Sequence, residues 1–223
     1  MENRLGALAL LRNLRNMQAA GVEPELVRQA LEAIRVERVL PFRFIAAARH
    51  APQWEPWIER AMFAGLDGQS RLMGKTVLLV DVSGSMDAKL SARSEMLRMD
   101  AAAGLAVLLR EIAEEVSVYT FSDNLKAVPG RRGFALRDAI VHSQPHGGTQ
   151  LGRALEALRE NCDRLVVITD EQSHDRVPAP RSRGYVINVA SFRNGIGYGA
   201  WTHIDGWSEA VVEYLRAAEQ HGV

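Results

Sequence analysis

The stretch "VLLVDVSGSMDAK", residues 77–89, decides the fold, because an apolar run leads into an aspartate and then into two serines around a glycine. The segment "TVLLVD" is rich in β-branched and apolar residues, as is typical of a parallel strand covered on both faces. Short runs of this kind then alternate with longer helical patterns, and Ser208 is predicted to cap the last helix. This alternation predicts an α/β fold with an open, doubly wound, mainly parallel sheet.

The residues before this stretch have a different character. Apolar residues at helical spacing predict a first helix that stops near Gly21, and Pro24 begins a second helix that reaches about Val39. Two further helices are predicted in "PFRFIAAARH" and "APQWEPWIERAMFAG". The sequence therefore predicts a helical N-terminal annex over residues 1–72 and an α/β domain over residues 73–223.

Composition and charge exclude several classes of protein. The chain has 27 basic and 27 acidic residues, so it lacks the uniform positive field of a protein that coats nucleic acid. Cys162 is the only cysteine, which excludes an internal disulfide and a cysteine-based zinc site. No apolar segment approaches the roughly 20 residues of a membrane span. We therefore expect a cytoplasmic protein that does not bind membranes.

Oxygen-bearing side chains follow three of the predicted strands. Asp81, Ser83 and Ser85 follow the first strand, Thr149 ends the loop "SQPHGGTQ", and Asp170 follows "RLVVIT". Because ligands of open α/β sheets bind at the carboxyl ends of the strands, we expect these residues to lie close together. Two carboxylates and three hydroxyls, without imidazole or thiolate, suit Mg²⁺ or Mn²⁺ rather than zinc or copper. Neutral hydroxyls leave the metal short of negative charge, so an external carboxylate or phosphate oxygen can complete its coordination.

The order Asp81-x-Ser83-x-Ser85, then Thr149, then Asp170 resembles the metal-ion-dependent adhesion site of von Willebrand factor A domains. The resemblance implies the Rossmann-like fold of that family. It also implies that Ser83, Ser85 and Thr149 are direct ligands, while Asp81 and Asp170 bind the metal directly or through water.

A second resemblance covers nearly the whole chain. The segments "ALLRNLRNM", "RVLPFRFIAAAR", "YTFSD", "GGTQLGRAL" and "ITDEQS" are similar, in order, to the Ro autoantigen (TROVE) family. In that family the A-type domain follows a long HEAT-like ring that holds RNA, and this chain has room only for the last few helices of such a ring. The resemblance implies a place in an RNA–protein complex, with a small structured RNA or a separate helical-ring chain as partners.

Two groups of arginines are candidate contacts for an anionic partner or for RNA. Arg176, Arg181 and Arg183 follow the third loop with few acids nearby, and we expect them at the rim of the metal site. Arg35 and Arg38 lie in and after the second helix. Interleaved glutamates leave open the alternative that this second group is a solvated helix face with charge pairs.

The sequence thus predicts a non-enzymatic, Mg²⁺-dependent binding module that engages an acidic group, such as an exposed carboxylate, of a partner. One alternative is a Ro-like protein that binds RNA directly. Another is a metal-dependent hydrolase. A serine hydrolase would need a base near Ser83 or Ser85, and His146 and His174 lie on plausible neighbouring loops. The chain has no GxSxG nucleophile elbow, which argues against the hydrolase.

Overall fold

A computed structural model of the chain describes residues 5–36, 39, 41–92, 94–190, 199–206 and 210–220. The chain divides into two compact units, residues 1–69 and 70–223. This boundary lies slightly before the predicted one, because the first strand already begins at Leu72. Among the described residues, no helix combines the length and the apolar character that crossing a membrane requires.

The described part of the first unit contains four α-helices: α1 (Ala7–Ala19), α2 (Pro24–Ala33), α3 (Pro41–His50) and α4 (Glu55–Leu66). The prediction that α2 reaches Val39 is wrong, because the backbone is extended at Ile34. The β-branched residues Ile34 and Val36 disfavour continuation of the helix. Val36 instead packs against Gly65, where an added Cβ would lie 3.2 Å from the Val36 carbonyl oxygen.

The second unit is an α/β domain, and its elements follow in chain order: β1 (Leu72–Asp81), α5 (Arg98–Ile112), β2 (Ala113–Phe121), β3 (Leu125–Ala127), α6 (Gly133–Val141), α7 (Leu151–Ala157), β4 (Arg164–Thr169), β5 (Arg183–Asn188), β6 (Thr202–Asp205) and α8 (Ala210–Gln220). The six strands form one sheet in the order β3-β2-β1-β4-β5-β6. All neighbours pair in parallel except β3, which is antiparallel to β2. The predicted α/β fold with a doubly wound, mainly parallel sheet is confirmed. Ser208, the predicted cap of α8, lies outside the described residues.

The centre of the sheet is buried on both faces. Residues 77–80 of β1 are fully inaccessible to solvent, as expected for a parallel strand between two layers of helices. Helix α5 is buried nearly all round, with the small residues Ala101, Ala102 and Ala103 along its path.

The chain changes direction across the sheet between β1 and β4. From β1 it proceeds to β2 on one side, and β4 later adds on the other side of β1. Val80 of β1 pairs with Ile168 of β4, so the loops that follow these two strands leave the sheet side by side. Such a switch point is where open α/β sheets bind ligands.

Candidate metal centre

The first loop of the site follows β1 directly. Asp81 is fully buried, and the Ser83 amide donates a 2.8 Å hydrogen bond to its Oδ1 atom. A 3₁₀ turn from Gly84 to Asp87 follows, and the Ser83 and Ser85 hydroxyl oxygens lie 3.2 Å apart. The two serine hydroxyls therefore lie next to each other in the loop after β1.

The second loop, which carries Thr149, packs against the first through the backbone. The Gly84 amide donates to the Gly147 carbonyl at 3.0 Å, and the Gly147 amide donates to the Ser122 hydroxyl at 2.8 Å. A Cβ at Gly147 would lie 2.0 Å from Asp123 Oδ2, so a larger residue here would require the exposed Asp123 side chain to move. Thr149 itself is 3% exposed.

The third loop begins at the fully buried Asp170 and contacts the second loop, while the strand end before it contacts the strand end before the first loop. The Thr169 hydroxyl donates a 2.6 Å hydrogen bond to Asp81 Oδ2. The His174 amide donates to the Thr149 carbonyl at 2.9 Å. The structure therefore brings the three predicted loops together at one edge of the sheet.

Arg98 is a member of this cluster that the sequence reasoning missed. It is the first residue of α5, and its Nη1 atom donates to Asp170 Oδ2 at 2.6 Å and to the Ser85 carbonyl at 3.3 Å. Its side chain is only 10% exposed. The available signal in the sequence was an arginine at the start of a largely apolar helical segment, since arginine is almost never buried without a partner.

The surroundings of Asp81 disfavour ionisation of its carboxyl group. Burial raises the pKa of Asp81 to about 6, and the nearby charge of Asp170 acts in the same direction. Hydrogen bonds from Ser83 and Thr169 oppose this rise but do not cancel it. A cation at this edge would relieve the cost of two buried carboxylates.

The residues present fit a hard, oxygen-binding metal ion. Among the described residues, no three His, Cys, Asp or Glu side chains are grouped so that they could hold a metal ion. The described residues therefore contain neither a typical zinc site nor a site with three or more carboxylates. The donors at this edge are instead the carboxylates of two aspartates and the hydroxyls of two serines and a threonine. This donor set suits Mg²⁺ or Mn²⁺.

Two of the predicted anion contacts lie at the wrong edge of the sheet. Arg183 is the first residue of β5 and lies 3.9 Å from Glu219, while Arg181 donates to the Leu158 carbonyl. Strand β5 runs six residues from Arg183 to its carboxyl end at Asn188, which corresponds to about 17–20 Å. The prediction that these two arginines line the metal-site rim is therefore wrong, because the loop after Asp170 returns to the opposite edge before β5 begins.

The remaining candidate arginines have separate positions. Arg176 is exposed on the loop after β4, and its carbonyl lies against Gly152 at the start of α7. Arg35 is exposed and follows the end of α2 in the first unit. Arg38 lies outside the described residues. A role for these three in binding an anion stays a prediction.

The two histidines considered as bases have other partners. His146 Nδ1 lies 3.0 Å from Asp87 Oδ2, and its Nε2 lies 2.9 Å from the Val141 carbonyl. His174 Nδ1 lies 3.5 Å from the Thr149 amide. In the described contacts neither imidazole hydrogen-bonds a serine hydroxyl of the first loop.

Comparison with known proteins gives one match to a domain family model and several solved structures of similar fold. Residues 76–172 match the family model of the von Willebrand factor type A domain, and this segment contains all five predicted metal ligands. No curated protein matches the chain.

Among solved structures, the chain is similar to the RO (RSR) protein of Deinococcus radiodurans, with a TM-score of 0.70 and 20% identity. The likeness covers 98% of this chain and 54% of that protein, so the chain spans about half the length of the RO protein. An aerotolerance-related membrane protein of Bacteroides fragilis is also similar, with a TM-score of 0.41, 18% identity and coverage of 51% of this chain and 66% of that one. BatB of Bacteroides thetaiotaomicron gives a TM-score of 0.45 and 13% identity over 66% of this chain and 97% of that one.

Proposed function

We propose that the von Willebrand factor type A domain of this chain is a non-enzymatic interaction module that binds Mg²⁺, or Mn²⁺, and engages an acidic group of a partner through the metal. The proposed ligands are Asp81, Ser83, Ser85, Thr149 and Asp170. The observation that carries the proposal is the mutual contact of three loops at the switch point of the sheet. The amide of Gly84 on the carbonyl of Gly147 and the hydroxyl of Thr169 on Asp81 support this arrangement.

The chemistry of the donors favours binding of an external ligand. When bound, the metal supplies a Lewis-acidic position that a carboxylate oxygen of a partner can occupy. The three hydroxyls contribute oxygen atoms without negative charge, so they do not compete electrostatically with such a carboxylate. Burial of Asp81 and Asp170 keeps the two protein carboxylates below the surface that the partner would approach.

A binding role is favoured over hydrolysis by the surroundings of the serines. A serine nucleophile needs a base within hydrogen-bond reach, and His146 and His174 contact other groups in the described structure. The amide of Ser83 and the hydroxyl of Thr169 donate to Asp81, which makes this carboxylate a buried acceptor rather than an accessible base.

We further propose that the protein is of the Ro/TROVE type and acts in the cytoplasm within an RNA–protein complex, next to helical-ring repeats. Similarity to the RO protein over 98% of the chain supports this proposal, since it includes the helical first unit as well as the domain. Direct RNA binding is the second candidate. The positions of Arg181 and Arg183, at the edge of the sheet opposite the candidate metal centre, do not favour RNA contact through the rim of that centre.

Calorimetric titration of Mn²⁺ into EDTA-stripped and dialysed protein tests the metal site. We expect Ser83→Ala to weaken binding at least about tenfold, because it removes a direct ligand. The matched control is Ser182→Ala, whose hydroxyl contacts Cys162 just before β5. Equal affinities of the wild type and Ser83→Ala, or no binding of Mn²⁺ by the wild type at millimolar concentrations, would refute the proposed metal site.

Partner capture separates the two candidate functions. Carboxylate docking through the metal should disappear when EDTA replaces Mg²⁺. Binding through RNA phosphates should instead fall steeply between 50 and 200 mM salt, by roughly 10³-fold or more for six or more contacts. RNA recovered equally with EDTA and with Mg²⁺, and lost at the higher salt concentration, would favour the RNA-binding alternative.

A further inference from the structure

We infer that Arg98 is a built-in cation that competes with the metal ion for Asp170, and so sets the metal affinity of the site. This inference rests on the proposed metal site and concerns its regulation. It starts from the one basic side chain that the described structure buries against a predicted ligand. The guanidinium donates to Asp170 Oδ2 at 2.6 Å and to the Ser85 carbonyl at 3.3 Å.

The position of Arg98 is fixed by the backbone rather than by a flexible side chain reaching in from solvent. Its own amide donates to the Ala88 carbonyl at 2.9 Å, which ties the start of α5 to the end of the first loop. The preceding amide, of Leu97, donates to the Asp100 carboxylate at 2.8 Å. The backbone of Arg98 is therefore anchored beside the site, which keeps its guanidinium within reach of Asp170.

In the absence of metal, the guanidinium supplies the positive charge that the buried carboxylate of Asp170 requires. A buried carboxylate without a cation carries a large desolvation penalty, and a short charge-assisted hydrogen bond offsets much of it. A metal ion that enters must share Asp170 with this guanidinium, or displace it, and must also sit close to a like charge. Both effects lower the affinity for the metal.

The same residue changes the charge of the metal-loaded site. A divalent ion and two ionised aspartates neutralise one another, and Arg98 then leaves the site with one net positive charge. This excess charge belongs to the same cluster that would receive the negative charge of a partner carboxylate. Arg98 thus lowers the affinity of the site for the metal, and it favours an acidic partner group over a neutral one.

Titration calorimetry with Mn²⁺ alone tests the inference, with the wild type, Arg98→Gln, Arg98→Lys and Arg110→Gln compared after removal of metal by EDTA. We expect Arg98→Gln to bind Mn²⁺ about tenfold or more tighter than the wild type, because it removes the competing charge. Arg98→Lys keeps the charge and should stay within about threefold. Arg110→Gln changes the net charge equally, but it lies 12 residues along α5, or about 18 Å away, and should match the wild type.

The outcomes separate this inference from the proposed function. Weaker Mn²⁺ binding in Arg98→Gln would overturn it, because Arg98 would then orient Asp170 for the metal. Equal binding in all four proteins would overturn it and leave the metal site standing, whereas no binding in any of them removes both. If Arg98→Gln is unfolded in EDTA, recovery of its folded circular dichroism spectrum by Mn²⁺ supports the inference, and failure to recover at saturating Mn²⁺ overturns it.

Discussion

Replacing Asp81 with asparagine should make the metal-free protein more stable. Asp81 is fully buried, and burial raises its pKa from the ordinary 3.8 to about 6. At 1.36 kcal/mol per pKa unit, ionisation of this group costs the folded state about 3 kcal/mol above pH 7. The pKa of about 6 already includes the effect of the Thr169 hydrogen bond on the ionised form, so asparagine gives up only the neutral part of that bond, about 1 kcal/mol. The expected net gain is therefore about 2 kcal/mol.

The direction of the pKa shift determines how the stability difference between Asp81→Asn and the wild type changes with pH. Because the pKa of Asp81 is higher in the folded state, its favourable contribution is complete below pH 3.8 and is lost as the pH rises through 6. The stability difference between Asp81→Asn and the wild type should therefore grow from near zero or slightly negative at pH 4 to about 2 kcal/mol at pH 7.5. Titrating groups that do not interact with Asp81 cancel in this difference.

Urea unfolding in EDTA, followed by circular dichroism at both pH values, measures the difference. The same experiment with saturating Mn²⁺ should reverse the order, since the wild type gains binding free energy that the variant has lost. A variant that is less stable than the wild type at pH 7.5 in EDTA, or a difference that does not change with pH, would refute the reasoning about Asp81.

Two further predictions concern the framework of the site and of the sheet. Gly147→Ala should lower Mn²⁺ affinity at least about tenfold in calorimetry, since its Cβ would lie 2.0 Å from Asp123 Oδ2. The control Gly130→Ala has open space around it and should have no effect on Mn²⁺ affinity. Similar losses of affinity in both variants would contradict the prediction. Arg164→Met should cost about 3 kcal/mol or more in urea unfolding, because it leaves the Glu219 carboxylate, whose side chain is 14% exposed, without its short ion pair to Arg164. Arg164→Met combined with Glu219→Met should recover part of that loss, and an additive double variant would show that the pair is not coupled.

The fold and the contact between the three loops were predictable because both follow from strand order. Alternating strand and helix patterns specify a parallel sheet, and parallel strands bring the residues after their carboxyl ends to one edge. Asp81 and Asp170 could therefore be placed near each other from the ends of their strands. Thr149 could be added because the glycines before it permit a close approach of two backbones.

The positions of Arg98, Arg181 and Arg183 could not be predicted from strand order. The loop between β4 and β5 crosses from one edge of the sheet to the other, so distance along the chain from Asp170 does not translate into distance in space. Arg181 and Arg183 follow Asp170 closely in sequence and lie at the opposite edge, whereas Arg98 is 72 residues away and forms an ion pair with it. Contacts between helix starts and strand ends depend on packing, which local patterns do not encode.

The end of α2 shows a similar limit on a smaller scale. Charged residues at helical spacing continue past Ala33, yet the backbone turns extended at Ile34. Burial of Val36 against Gly65 accounts for this end, and the contact joins the segment after α2 to a residue of α4 that is distant in sequence.

The main-chain contact between Gly84 and Gly147 has a consequence for how such a site can evolve. The contact between the first two loops of the candidate metal centre is made in part by an amide and a carbonyl group of the main chain, while the proposed ligands are side chains. Mutations can therefore delete or restore individual hydroxyls without rebuilding the loops. Descendants of one ancestral domain could lose a proposed ligand, keep the surface, and later regain that ligand by a single codon change.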